Sequence, residues 1–235
     1  MVKIVTIISL SFFFLPAFSQ MDVSAYYSIH SNAVPPPKPK TMEDYNKDLE
    51  ANPKNEAALL GKGNLKIQLQ DFRGAIQQYN VYIQLKPDVD TGYFNRGIAK
   101  ENIKDYDGAL ADFDKAISIN PKNENAYFNR AIAKNSKKDY AGALKDYAKV
   151  LEINPKNADV YNNRCYVKIQ MADFVGAYED AENAIKLNPK NGKGYFSRGI
   201  TRYYLNNKED FCLDLSKAGE LGFIEAYEVI KKYCN

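Results

Sequence analysis

The sequence contains no tryptophan, a single histidine and only three cysteines in 235 residues. One histidine, His30, excludes a multi-histidine metal site, and three cysteines alone cannot give a zinc ion four thiolates. Histidine-based catalysis is disfavoured on the same ground. Charge of one sign is lacking as well. Lys and Arg total 32 against 29 Asp and Glu, a formal net charge of +3, so charge alone does not point to nucleic acid. The apolar run from Ile4 to Leu15 is several residues short of the ~20 that a membrane-spanning helix requires. What is present suits a globular chain. Hydrophobic residues make up 45% and charged residues 26%, enough to bury the core of one or two domains.

The first residues read as an address. Lys3 precedes the apolar run, and Pro16-Ala17-Phe18-Ser19 places small residues at the minus-three and minus-one positions before Gln20. This pattern predicts a cleaved signal peptide over 1–19 and an exported protein, periplasmic or extracellular. With no cysteine at the first position of the mature chain, a lipid anchor is not expected. Residues 20–40 carry Pro35-Pro36-Pro37 and Pro39, which predicts an extended linker. Within it, Ala25-Tyr26-Tyr27-Ser28-Ile29-His30 is apolar enough to occupy a groove.

Prolines then set a ruler. Pro53, Pro87, Pro121, Pro155 and Pro189 stand at successive intervals of 34 residues, the mark of a repeat array. Overlaying the intervals aligns a small-residue column (Gly63, Gly97, Ala131, Cys165, Gly199) and an alanine column (Ala75, Ala109, Ala143, Ala177, then Phe211). A third column is aromatic or apolar: Tyr79, Phe113, Tyr147, Ala181, Leu215. Each unit reads as two helices, because apolar residues recur at three- and four-residue spacing in Tyr93–Lys100 and again in Ala109–Ile117. Asp71, Asp105, Asp139 and Asp173 precede the second helix as N-caps. The Asn-Pro pairs close it, since proline biases its predecessor away from the helical region.

In this register the chain resembles the tetratricopeptide repeat family: small at position eight, Ala at twenty, aromatic at twenty-four, Ala at twenty-seven, Pro at thirty-two. It departs in two columns. The usual Trp is Tyr93, Tyr127, Tyr161 and Tyr195, or Leu59, and the usual Tyr is Lys66, Lys100, Lys134, Lys168 or Arg202. The resemblance implies an all-α, right-handed superhelical solenoid of antiparallel helix pairs, with first helices lining the concave side. A half-repeat at 41–53 leads units 56–87, 90–121, 124–155, 158–189 and 192–222. A helix over 223–235 caps the exposed end, as solenoids require.

On the first helix, positions two, five, six, nine and twelve lie away from the partner helix. Position five holds Leu60, Phe94, Phe128, Asn162 and Phe196. Position six holds Gly61, Asn95, Asn129, Asn163 and Ser197, and position nine includes Ile98 and Ile132. Two readings stay open. The asparagines can hydrogen-bond an extended peptide while the phenylalanines take its apolar side chains, as in the asparagine ladders of some tetratricopeptide superhelices. Alternatively the aromatic row packs between repeats and the asparagines are solvated or tie one repeat to the next. The family's carboxylate clamp is not expected. It needs basic residues at set positions, and only fragments such as Lys193, or Asn64 with Asn95, are present.

Arg96, Arg130, Arg164 and Arg198 hold position seven, while Asp112, Asp146, Asp180 and Asp214 hold position twenty-three. In the first unit both change together, to Lys62 and Gln78. This paired change favours structural ion pairs between helices over recognition of an anion, with Asp44 as an alternative partner for Lys62. The basic column at position eleven reads as a solvated edge. Cys165 falls in the small buried column and reads as a free thiol. Cys212 and Cys234 suit a disulfide that pins the last helix. No cofactor or metal is expected, and no nucleophile, base and orienting group stand together for catalysis. The expected role is a non-enzymatic scaffold in a bacterial cell envelope that binds another protein or peptide on its concave face. Nucleic acid is not an expected partner, and no membrane span remains after signal cleavage. The rival is a structural component that self-associates with the groove empty.

Overall fold

The computed structural model describes residues 39–234. The expected leader over 1–19, and the linker with His30 as far as residue 38, lie outside them. The described unit runs from Lys40 onward and contains twelve helices and no strand among its described residues. A lone helix α1 (Met42–Ala51) precedes five antiparallel pairs. These are α2 (Glu56–Gln68) with α3 (Phe72–Leu85), α4 (Asp90–Asn102) with α5 (Tyr106–Ile119), and α6 (Glu124–Ser136) with α7 (Tyr140–Ile153). Next come α8 (Ala158–Gln170) with α9 (Phe174–Leu187) and α10 (Gly192–Tyr204) with α11 (Lys208–Glu220), and α12 (Glu225–Tyr233) closes the array. It is an all-α solenoid of antiparallel helix pairs.

Local chemistry explains the boundaries. Asp71, Asp105, Asp139 and Asp173 each accept a hydrogen bond from the amide three residues on, at 2.9 to 3.0 Å, which satisfies a first-turn donor of the second helix. First helices are capped by asparagine instead, at Asn55, Asn123, Asn157 and Asn191. Between the two helices of each pair one residue adopts a positive φ: Gln70, Lys104, Lys138, Ala172 or Asn206, at 60 to 64°. The following amide bonds back to the first helix, as Asp173 does to the Lys168 carbonyl, a left-handed C-terminal stop. At the far end of the second helices, Asn120, Asn154 and Asn188 leave the helical region ahead of their prolines, with φ of -128 to -139° and ψ of 81 to 89°, as the proline ring favours.

Packing follows the small columns. A Cβ at Gly97 would meet the Phe113 ring at 2.6 Å, so glycine there lets α4 and α5 close over a fully buried phenylalanine. Each helix packs on its chain neighbours, and first helices of adjacent repeats also meet, α2 with α4, α4 with α6 and α8 with α10. Among the described residues no two second helices meet to that extent. The first helices are therefore the inner layer. At the end of the array, Cys212 and Cys234 form a disulfide with Cα atoms 5.8 Å apart, joining α11 to the turn after α12. Ala226 and Val229 bury the inner side of α12, and Phe223 packs on Phe196 at 4.8 Å between centroids.

Candidate functional site

The arginine column builds a ladder. Arg96 Nε and Nη2 donate to the Asp112 carboxylate at 2.8 and 2.6 Å. Arg130 with Asp146 and Arg198 with Asp214 repeat this bidentate geometry, as does Arg164 with Asp180. All four carboxylates are buried. Hydrogen bonding to them raises the pKa of each guanidinium. The tyrosine three residues earlier covers each arginine, with guanidinium carbons 5.3 to 5.7 Å from the ring centres. Tyrosine thus serves where the family carries tryptophan, as a cation–π partner.

The basic column at position eleven is not a solvated edge. Lys100, Lys134 and Lys168 each place Nζ 2.8 Å from the same aspartates, and Arg202 reaches Asp214 at 2.7 Å. A buried carboxylate held by one cation keeps unfilled lone pairs, and the second cation fills them. Three arginines also reach back into the preceding repeat, Arg96 to Asn80, Arg130 to Asp114 and Arg198 to Glu182. In the first unit Gln78 removes the carboxylate, and Lys66 pairs with Asp71 instead. Asp44 is not the partner considered for Lys62. It closes a capping box with Thr41, and those hydrogen bonds lower its pKa.

The proposed groove residues divide by burial. Phe128, Asn129, Asn162, Asn163 and Phe196 are buried, while Phe94, Asn95, Ile98 and Ile132 are half-buried. Phe94 packs on Phe113 and Phe128 on Tyr147, with centroids 6.1 and 5.9 Å apart. The aromatic row therefore points into the layers between helices. The asparagine column is likewise no uniform ladder. Asn95 donates to Asn64 at 3.0 Å, tying the first two repeats, and Asn129 donates to the Asn125 carbonyl of its own helix. Along position nine, Ile98, Ile132 and Tyr166 are half-buried, packed on the core from one side, and form an apolar strip.

Polar groups that sequence counting left uncollected stand beside this strip. Tyr79 donates its hydroxyl to Asn64 at 2.8 Å. Tyr147 holds the same position two repeats on, but there position nine is Ile132, which offers no acceptor. Glu101, at position twelve of α4, is half-buried, and burial alone pushes its carboxyl up to about 7. Burial raises the Tyr147 pKa too, and the Glu101 charge adds to that rise. Asn135, at the equivalent position on α6, carries a buried carbonyl oxygen with no hydrogen-bond partner. Position twelve, read down the repeats, would have exposed the one carboxylate among Ile67, Asn135, Ile169 and Tyr203. Cys165 is buried as a free thiol, and burial raises its pKa, so it is not poised as a nucleophile. Among the described residues, no group of three His, Cys, Asp or Glu side chains is arranged to hold a metal ion.

Residues 91–123 and 124–157 match the family model of the tetratricopeptide repeat. No curated protein matches the sequence. Similar solved structures include YrrB, described as a TPR protein with an unusual peptide-binding site, at 18% identity and TM-score 0.64, covering 81% of this chain and all of that one. A tetratricopeptide repeat protein from Parabacteroides merdae shares 23% identity at TM-score 0.63, covering 83% of this chain and 77% of that one. MamA from Desulfovibrio magneticus shares 19% at TM-score 0.66, covering 71% and 95% respectively. At these identities the likeness establishes the fold. Units 90–121 and 124–155 are tetratricopeptide repeats by sequence model and by structure, and the other units repeat their architecture.

Proposed function

We propose that this protein is a non-enzymatic scaffold that binds an extended segment of another protein on its concave face, after export to a bacterial cell envelope. The observation that carries the reading is the strip of Ile98, Ile132 and Tyr166, half-buried on first helices that buried ion pairs tie to their partner helices. An apolar strip flanked by amide groups suits a peptide whose side chains alternate between the surface and solvent. Tetratricopeptide proteins generally act as protein-binding scaffolds, and YrrB is described as having a peptide-binding site. The signal-like pattern over 1–19 supports export, and no described helix is long and apolar enough to cross a membrane.

A second reading rests on the C-terminal end. Ile224 is 70% exposed, and Leu213 and Tyr227 are exposed near it in sequence, a surface suited to self-association with the groove empty. One experiment separates the two. Phage-displayed random dodecapeptides are selected on the protein, and the winner is titrated into a sample with labelled isoleucine methyl groups. Groove binding shifts Ile98 and Ile132. If no peptide is selected, while Ile224 shifts with protein concentration, the groove reading fails and self-association takes its place. Export is tested by N-terminal sequencing of the protein from fractionated bacterial cells. A mature chain beginning at Gln20 in the envelope fraction is the expected result.

A further inference from the structure

Every buried carboxylate in the arginine ladder is held by two cations. Asp112, Asp146, Asp180 and Asp214 each accept from position seven and from position eleven of their own repeat. Glu101 breaks this rule. It lies on the inner layer, and neither an ion pair nor a hydrogen bond offsets its desolvation. A carboxylate left this way costs free energy that packing does not return. The fold could remove the cost with an apolar residue, as it does at Ile67 and Ile169 in the same column.

The surroundings match one kind of occupant. Glu101 presents an acceptor. The side chain of Asn135, at the equivalent position on the adjacent helix α6, carries a second acceptor without a donor. The Tyr147 hydroxyl, whose pKa the Glu101 charge helps to raise, lacks the asparagine partner that Tyr79 has in Asn64. Two unpaired acceptors, one of them charged, call for a donor that is itself a cation. Ile98 lies one turn before Glu101 on α4, and Ile132 holds the matching place on α6. These apolar residues suit the methylene stem of a long basic side chain, which lies along apolar surface while its charged head reaches an acceptor.

We propose that Glu101 is the specificity determinant of the groove and receives a lysine or arginine side chain of the bound peptide, with Asn135 and Tyr147 completing its polar surroundings. This rests on the reading of the concave face as a peptide groove. It assigns the central repeats a preference for a basic residue in their ligand, and it makes the Glu101 desolvation cost a source of selectivity: a neutral ligand leaves the half-buried carboxylate unpaired.

The test uses the full-length protein and the phage-displayed random dodecapeptides. The expected result is a selected family with Lys or Arg fixed at one position. Replacing that residue by norleucine or citrulline in a fluorescein-labelled peptide should weaken binding at least about tenfold, read by anisotropy. Against E101Q the same replacement should change affinity little, because the charge it met is gone. Circular dichroism should show E101Q folded, since the change removes a half-buried charge that has no ion-pair partner. If peptides are selected and shift the Ile98 and Ile132 methyls, but no basic position is fixed, the assignment of Glu101 is overturned while the groove reading stands. An equal loss on neutralising the peptide in wild type and E101Q overturns it too. If no peptide binds, or binding leaves those methyls unmoved, the groove reading itself falls, and this proposal with it.

Discussion

Lys168 Nζ lies 2.8 Å from Asp180 Oδ2, the oxygen to which Arg164 Nε also donates, while Arg164 Nη2 donates to Oδ1. Asp180 is 1% exposed. Two cations converge on one buried anion, and the cluster joins the two helices of the repeat while its arginine packs under Tyr161. Removing the anion leaves two half-buried cations facing each other without a counter-charge. Asp180→Ala should therefore cost about 3–5 kcal/mol, the range for breaking a buried pair from one side. Asp114→Ala removes a contact to Arg130 from an exposed position and should cost under about 1 kcal/mol. Urea denaturation of the two variants checks the contrast, and equal losses would show that burial is not what gives the ladder its strength.

The Cys212–Cys234 bridge spans 22 residues and constrains the unfolded chain around α11 and α12, a loop-entropy contribution of about 3 kcal/mol. Cys212→Ser should lose most of it, and the loss should be local. Because each repeat touches only its neighbours, hydrogen exchange should quicken in α12 and leave the amides of α4 to α7 unchanged. Alkylation gives a companion check. The unreduced, denatured protein should take one label, at Cys165, and the reduced protein three.

The 34-residue period, the helix pairs, the Asp caps and the arginine–aspartate columns are visible in the sequence because each is a local or strictly periodic signal. Other features depend on which neighbour covers a residue. Helical spacing places Phe128 and Phe196 on the side away from the partner helix, yet Phe128 packs on Tyr147 of that partner helix, α7. Phe196 is sealed by Phe223, which lies outside the repeat pattern. The role of Lys100, Lys134 and Lys168 was hidden for a different reason. In the first unit Lys66 persists although Gln78 replaces the aspartate, so the two columns do not change together. Lys66 has a substitute partner in Asp71, a local pairing that column counting does not reveal.

Ala172 sits at φ 60° between α8 and α9, in the left-handed region where a Cβ crowds the following carbonyl. Glycine adopts this conformation without that clash, though it frees the unfolded chain more. Ala172 is exposed, so no packing is lost on substitution. Ala172→Gly should raise stability by about 1 kcal/mol, read as a higher midpoint in urea with an unchanged slope. The reverse holds at Gly222, with φ 87°. Gly222→Ala should destabilise by a similar amount, although a Cβ there meets nothing within 4 Å, because the penalty is conformational and not steric contact with another residue.

Glu101 gives the protein a pH dependence of opposite sign to that of a salt-bridged carboxylate. Burial pushes its pKa in the folded chain up to about 7 from an ordinary 4.5. Below pH 4.5 the group is protonated whether the chain is folded or not, and it contributes nothing to the balance. Between 4.5 and 7 the folded state binds the proton more tightly than the unfolded state, so raising the pH favours unfolding. The accumulated loss should reach about 3 kcal/mol once both forms are ionised above pH 7. Thermal unfolding at intervals across this window should show a slope in the wild type that Glu101→Gln removes, leaving the variant more stable at pH 8 and matched to the wild type near pH 4. A slope that survives the substitution would mean that the Glu101 side chain is solvated in the folded chain. A basic ligand reverses the sign of the effect: the carboxylate must ionise to receive it, so affinity should rise through the same window in which the free protein loses stability.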